Sequence, residues 1–114
     1  MRIGVPAETR PGETRVAATP ETVKKLAAKS EVRVQAGAGS ASSIPDRDYE
    51  AAGAKIVPVA AEAFDAEIVL KVRAPQEAEL ELLKSGTVLI GLLDPFRSAG
   101  LEALAMRGVT GFAM

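Results

Sequence analysis

The stretch Ile68–Pro75, IVLKVRAP, is apolar at its start, carries two cations near its end and is closed by a proline. A strand that is buried on both faces of a parallel sheet is apolar along its length, so the pattern predicts such a strand. Lys71 and Arg73 are two residues apart and therefore project from the same face. The two cations predict that the carboxyl end of this strand lies at a charged edge of the sheet.

Outward from this stretch, short apolar runs alternate with helical patterns along the whole chain. This alternation is typical of successive βα units around a parallel sheet. The predicted strands are Arg2–Val5, Glu31–Gln35, Lys55–Val57, Glu67–Val72, Thr87–Leu93 and Val109–Ala113. The sequence therefore predicts an α/β fold, with a mainly parallel sheet and flanking helices.

Helix signals lie between the predicted strands. Thr19 is placed to cap a helix that has Pro20 at its first position, with Val23, Leu26 and Ala27 on the buried face. Three further helices are predicted: one capped by Asp46 and ending at Gly53, one from Pro75 to near Gly86, and one from Ser98 to Gly108.

Composition limits the function. The 114 residues are 47% apolar and 25% charged, which fits one domain with a single core. The formal charge is −1 and its basic residues are scattered, so nucleic acid is not an expected partner. The chain has no cysteine and no histidine, which removes disulfides, imidazole bases and the commonest ligands of transition metals. No metal site and no catalytic residue is predicted.

The longest apolar run, Val88–Leu93, is far shorter than the roughly 20 residues that cross a bilayer, and the first residues lack a signal-peptide pattern. We therefore expect a cytoplasmic chain without direct membrane insertion.

Two loops are candidates for ligand binding. Gly37–Ser42 follows a predicted strand and comes within one residue of the dinucleotide fingerprint, but a strand-to-loop turn explains both glycines equally well. The charged loop Ala7–Arg15 leaves the carboxyl end of the first strand, where ligands lie in open α/β sheets. Arg15 is suited to grip a carboxylate or phosphate, although an ion pair with Glu8 or Glu13 would also account for it.

Three other residues are expected to face the same crevice. Lys71 and Arg73 repel each other unless an anion or a carboxylate such as Asp94 or Glu8 lies nearby; alternatively, both side chains extend to solvent as the strand ends. Asp94 follows the predicted strand Thr87–Leu93, but Asp94-Pro95 is also a common opening of a turn.

Several segments together resemble the N-terminal domain shared by alanine dehydrogenases and NAD(P) transhydrogenase alpha subunits. They are Met1–Arg10 (MRIGVPAETR), Glu13–Pro20 (ETRVAATP), Gln35–Gly39 (QAGAG), Ala51–Ala54 (AAGA) and Leu70–Pro75 (LKVRAP). The resemblance implies the flavodoxin-like N-terminal lobe of a two-lobed dehydrogenase. Residues 1–114 would be an incomplete first lobe, and the dinucleotide-binding lobe would be absent.

The resemblance implies that NAD(H) lies in the cleft between the lobes and is gripped mainly by the second. The alanine dehydrogenase pattern has a lysine at the position of Arg73 and a histidine at that of Asp94, which puts amination of pyruvate in doubt. The transhydrogenase alpha subunit needs neither residue. It passes hydride from NADH to NADP+, coupled to proton translocation.

The transhydrogenase interpretation implies several partners: the rest of the alpha subunit, membrane components, a domain that holds NADP(H), and a second copy in a homodimer. The assembled protein would be associated peripherally with the inner membrane. The chain stops within an apolar run at Met114, so we expect a truncated product or a piece of a longer chain, inactive alone. The alternatives are an alanine dehydrogenase lobe and a non-catalytic fragment that binds subunits.

Overall fold

Parallel strands form the centre of the molecule. A computed structural model of the chain describes residues 1–8, 12–72, 79, 82–83, 85–91 and 110–113. The strands are β1 (Arg2–Val5), β2 (Glu31–Gln35), β3 (Lys55–Val57), β4 (Ile68–Lys71), β5 (Val88–Gly91) and β6 (Thr110–Ala113). Every predicted strand is confirmed, and β1, β2 and β3 have the predicted bounds.

The six strands pair in the order β3-β2-β1-β4-β5-β6, and each pairing is parallel. In the register, Ile3 lies beside both Val32 and Ile68, so β1 occupies the middle of the sheet. The predicted α/β class is confirmed. Within the doubly wound folds, this order is the one of dinucleotide-binding sheets, and that of flavodoxin differs.

The described helices connect the strands on the left half of this order. They are α1 (Pro20–Ala27), α2 (Asp46–Ala51) and α3 (Ala60–Phe64), with a 3₁₀ turn at Ser40–Ser42. Thr19 caps α1 as predicted, because its hydroxyl accepts a hydrogen bond from the Thr22 amide at 3.3 Å. The prediction that Asp46 caps α2 is wrong: Asp46 is the first helical residue, and its carboxylate accepts a hydrogen bond from the Gly37 amide instead.

Helix α3 was not predicted from the sequence. It has five residues, and Val59 at its N-cap position makes no side-chain capping bond. The predicted helix from Pro75 falls mainly outside the described residues, and the one capped by Ser98 falls wholly outside them.

The core has a cluster on each face of the sheet. On one face, α1 and α2 contribute to a cluster around Val5, Val23, Val34 and Tyr49, all fully buried. The second cluster contains Phe64, Val69, Leu83 and Leu89. Because Gly4 is paired with Val69 and faces α3, this second cluster lies on the opposite face of β1 and β4.

Tyr49 ties α2 to the segment before α1. Its side chain is fully buried, and its hydroxyl donates to the Ala18 carbonyl oxygen at 2.7 Å. Burial, followed by the nearby Asp46 carboxylate, raises the pKa of Tyr49 from its ordinary value of 10.0 to about 12. Tyr49 therefore has a structural role and stays neutral at physiological pH.

Removing the Tyr49 hydroxyl is expected to lower the free energy of unfolding by about 1–2 kcal/mol, because Tyr49→Phe leaves the buried Ala18 carbonyl without this donor. Above pH 10 the wild-type protein should lose stability toward pH 12, since the unfolded tyrosine releases its proton first. This component should be absent in Tyr49→Phe. Urea unfolding of both proteins across this pH range measures the difference.

The protein has a single tyrosine, so near-ultraviolet absorbance of tyrosinate reports its titration directly. A folded-state titration near pH 10 would contradict the buried hydrogen bond.

Candidate functional site

The order of the strands reverses between β1 and β4. From β1 the sheet continues through β2 and β3 on one side, and through β4, β5 and β6 on the other. In open α/β sheets, the connections that leave the carboxyl ends of the two strands at such a point diverge and leave a crevice. The residues that follow β1 and end β4 therefore define the candidate site.

A buried ion network occupies this point. The Lys71 ammonium Nζ lies 2.9 Å from Glu79 Oε2 and 3.3 Å from Glu8 Oε1. The other oxygen of Glu8 accepts a hydrogen bond from the Val72 amide at 3.0 Å. The exposed fractions of the Lys71, Glu8 and Glu79 side chains are 1%, 2% and 9%. Glu8 thus connects the segment after β1 to the end of β4 through both charge and a backbone hydrogen bond.

The alternation of β4 explains why a lysine is buried here. Lys71 lies on the same face of the strand as Val69, which belongs to the cluster of Phe64, Leu83 and Leu89. An ammonium on that face has no route to water, and its burial is favourable only with charged partners that also satisfy its hydrogen bonds. Glu8 and Glu79 supply those partners.

The segment between β1 and α1 is held by four different elements. The Ala7 amide donates to the Gln35 side chain of β2 at 2.9 Å, and Glu8 contacts β4. Farther along, the Thr14 carbonyl accepts a hydrogen bond from the Ser42 hydroxyl, and the Ala18 carbonyl accepts one from Tyr49. The long connection is therefore fixed at intervals rather than only at its ends.

Glu13 and Arg15 form a fork on this segment. Arg15 Nε donates to Glu13 Oε2 at 2.8 Å, its second guanidinium nitrogen donates to Oε1 at 2.6 Å, and the Arg15 amide also donates to Oε2 at 2.9 Å. The Arg15 side chain is 56% exposed, whereas that of Glu13 is 2% exposed. Two parallel bonds fix the direction of a guanidinium, so Glu13 orients Arg15.

The glycine-containing loop after β2 is a turn. Its amides bond to groups of the chain: Gly37 N to the Asp46 carboxylate at 2.9 Å, Ser40 N to the Gly37 carbonyl, and Ser42 N to the Gly39 carbonyl. Gly37 has a φ of 79°, and a Cβ on Gly39 would lie 2.8 Å from Ile44 Cβ. Turn geometry and close packing account for both glycines, as one of the two sequence interpretations predicted.

The structure separates the four candidate residues. Arg15 is exposed and paired with Glu13, which was one of the two partners considered from the sequence. Lys71 is buried, so the expectation that it extends to solvent is wrong, whereas Glu8 is indeed a carboxylate beside it. Arg73 and Asp94 lie outside the described residues, and their place in the crevice stays a prediction.

Sequence reasoning missed Glu79 and Gln35. Glu79 is eight positions from Lys71, and it meets the lysine only through tertiary structure. Gln35 ends β2 beside β1, and its position became informative only with the register of the two strands.

The described residues do not fit a dinucleotide diphosphate, although the strand order is that of dinucleotide-binding sheets. Such sheets bind the diphosphate on backbone amides at the turn after the first strand. Here that turn carries the Glu8 carboxylate at its base, and the amide of Gly37 in the next turn donates to Asp46. A diphosphate would be repelled at both places.

A groove of about 490 Å³ lies at the opposite, amino-terminal edge of the sheet, where Arg2, Glu31 and Asp65 form part of its wall. Arg2 donates to Glu31 at 2.7 Å and lies 3.7 Å from Asp65. The Arg2 hydrogen bond is the main cause that holds the pKa of the exposed Glu31 below its usual range. These charges compensate one another, so the groove is not a competing candidate.

Two searches of the described residues found nothing. No three His, Cys, Asp or Glu side chains there are grouped as metal ligands would be. Within the same residues, no helix is both long and apolar enough to cross a membrane.

The fold and the switch-point site define a lobe of an α/β dehydrogenase. Residues 4–114 match the family described as alanine dehydrogenase/PNT, N-terminal domain. The chain belongs to this family, which confirms the resemblance seen in the sequence.

Relatives from both branches of the family are equally similar. The chain is 43% identical over 116 residues to alanine dehydrogenase of Mycobacterium tuberculosis, covering 99% of this chain and 31% of the relative. It is 44% identical over 122 residues to an NAD(P) transhydrogenase subunit alpha of Rhodospirillum rubrum, covering 100% and 32%. The crystal structure of transhydrogenase from Sinorhizobium meliloti superimposes with a TM-score of 0.92 at 42% identity, covering 99% of this chain and 33% of that one.

The chain thus spans about a third of the length of the curated relatives it matches. Since the two identities differ by one percentage point, overall similarity does not distinguish a dehydrogenase from a transhydrogenase.

Proposed function

We propose that this chain is the first lobe of the NAD(H)-binding alpha subunit of a proton-translocating NAD(P) transhydrogenase, an oxidoreductase. The observation that carries the proposal is the pair Arg73 and Asp94. By resemblance, these residues correspond to the lysine and the histidine that an alanine dehydrogenase would use. The chain contains no histidine that could replace the missing one.

The chemistry of hydride transfer agrees with this composition. A dehydrogenase that aminates pyruvate has to move protons at the substrate, and imidazole is the side chain best suited to that task near neutral pH. Direct transfer of hydride between two nicotinamides requires no side-chain proton donor at the reacting carbon. A lobe without histidine is therefore compatible with transhydrogenation and poorly suited to amination.

The environment of Lys71 gives further support. A lysine that binds an anionic substrate needs an accessible ammonium, but Lys71 is 1% exposed and lies between Glu8 and Glu79. The carboxylates near β1 also disfavour a diphosphate. We propose that the second lobe grips NAD(H) and that this lobe forms the opposite wall of the cleft, with Arg15 facing it.

The proposal includes the assembly. The intact subunit would form a homodimer and dock on membrane components at the cytoplasmic side of the inner membrane. The NADP(H) that receives the hydride would be held by a partner domain. Proton translocation would belong to the membrane-spanning components.

The test compares two reactions of the protein encoded by the complete gene. Mixed with its membrane and NADP(H)-binding partners, it should reduce NADP+ with NADH, and it should not oxidise NADH in the presence of pyruvate and ammonia. The opposite result would assign the protein to the alanine dehydrogenases. That second function is kept because the 43% identical relative is an alanine dehydrogenase and because Arg15 is exposed on the loop after β1.

The third possibility, a non-catalytic fragment that binds subunits, is tested with the isolated 114-residue chain. We expect no tight binding of NADH in calorimetry, because the described residues lack a diphosphate site. A dissociation constant below about 1 μM, equivalent to about −8 kcal/mol, would show that this lobe holds the nucleotide by itself and would contradict the division of labour proposed here.

A further inference from the structure

Among the four ties that hold the segment between β1 and α1, the one made by Glu8 differs from the others. Ala7, Thr14 and Ala18 are held by single hydrogen bonds with neutral side chains. Glu8 instead makes an ion pair with Lys71 and accepts a backbone hydrogen bond from Val72. It is also the tie that crosses the switch point of the sheet.

We propose that Glu8 and Lys71 are positioning residues that set the affinity of the cleft for NADH. Neither side chain can contact a ligand in the cleft, because their exposed fractions are 2% and 1%. They act through the segment after β1, whose next charged group is the exposed fork of Glu13 and Arg15 among the described residues. The inference rests on the proposed function in taking NADH as the ligand.

The physical basis is the direction of the segment as it leaves the sheet. Glu8 lies three residues after the end of β1, and its carboxylate is held on two sides by atoms of β4 and the residue that follows. Without the ion pair, the first residues of the connection lose one of their two restraints. Arg15 would then occupy a wider range of positions, and a displacement of about 1 Å is enough to weaken an oriented contact substantially.

Two variants test this role. In Glu8→Gln, the amide oxygen can still accept the Val72 hydrogen bond, but the amide nitrogen faces the Lys71 ammonium, so donor meets donor. In the double variant Glu8→Gln/Lys71→Met, the ammonium is also removed, and this protein remains informative if the single variant folds poorly. Circular dichroism and a thermal melt establish that each protein is folded at the assay temperature.

Glu31→Gln is the matched control. It makes the same chemical change and breaks ion pairs with Arg2 and Arg33, but at the amino-terminal edge of β2 and among exposed groups. A general effect of removing a carboxylate would appear in this control as well.

Both measurements use the protein encoded by the complete gene. Hydrogen exchange of amides 12–18 should become about tenfold faster in the two test variants, whereas the amides of α2 should be unchanged. In the transhydrogenation assay, the KM for NADH should rise about tenfold, with kcat changed by less than about threefold. Glu31→Gln should leave both measurements at the wild-type values.

The outcomes are separable from those of the proposed function. Unchanged exchange at residues 12–18 would overturn the inference, and so would faster exchange with an unchanged KM, which would make the pair merely structural. If the wild-type protein has no transhydrogenase activity, the proposed function fails. The inference is then decided by the exchange experiment and by the affinity for NADH measured by calorimetry.

Discussion

Replacing Lys71 with methionine is expected to lower the free energy of unfolding by about 3–5 kcal/mol, the range observed when one member of a buried ion pair is removed. Methionine fills a similar volume, so the loss comes from electrostatics rather than from a cavity. The variant leaves the buried carboxylates of Glu8 and Glu79, 2% and 9% exposed, without the ammonium between them. Urea unfolding measures the change.

A double-mutant cycle separates the pair from the sum of its parts. Glu8→Gln combined with Lys71→Met should cost less than the two single changes added together, with a coupling of about 1–3 kcal/mol. The reason is that the second change removes a charge that the first has left without its partner. Strict additivity would mean that the 3.3 Å contact between Lys71 and Glu8 does not contribute to stability.

Lys55→Met provides the control for this cycle. Lys55 lies on β3 and is exposed, so the same substitution removes a solvated ammonium from the same sheet. Its effect should stay within about 0.5 kcal/mol. A loss comparable to that of Lys71→Met would point to the general loss of a lysine and away from the buried network.

Much of the sheet could be predicted from the sequence because its signals are local. Apolar runs of four to five residues bounded by polar or turn residues gave β1 and β2 their bounds. Thr19 followed by Pro20 gave the start of α1, since a hydroxyl before a proline satisfies the first amides of a helix.

Helix α3 could not be predicted because its determinants are not local. It has no capping side chain, and its five residues include three alanines. It forms because Ala63 and Phe64 are buried against β1 and β4, where tertiary packing outweighs the weak local preference. Asp46 failed as a predicted cap for a related reason: its carboxylate bonds to Gly37, a partner nine residues away.

The candidate site shows the same limit. The charged loop after β1 and the cation at Lys71 could be recognised as polar interruptions of apolar patterns. The sequence could not say whether Lys71 meets solvent, a ligand or another side chain, because Glu79 and Glu8 reach it only after the chain has folded. Burial converted a candidate ligand-binding lysine into the centre of an internal ion network.

The contact between β1 and α3 leads to the second prediction. Gly4→Ala should lower the free energy of unfolding by about 3 kcal/mol, at the upper end of the usual cost of overpacking. An added Cβ would lie 1.7 Å from the carbonyl oxygen of Ala63 and 2.9 Å from its carbonyl carbon. Both are backbone atoms, so no change of rotamer relieves the overlap, and α3 has to move away from the sheet.

Gly86→Ala distinguishes this steric cost from backbone strain. Gly86 has a φ of 90° and nothing within 4 Å of an added Cβ, so its substitution should cost about 1–2 kcal/mol through conformation alone. Gly4 has the opposite combination. If thermal and urea unfolding show that Gly4→Ala costs less than Gly86→Ala, α3 does not pack on β1 at this distance. If instead Gly4→Ala also exposes Phe64, the displacement of α3 predicted from the overlap has occurred, because Phe64 is fully buried only while α3 stays on the sheet.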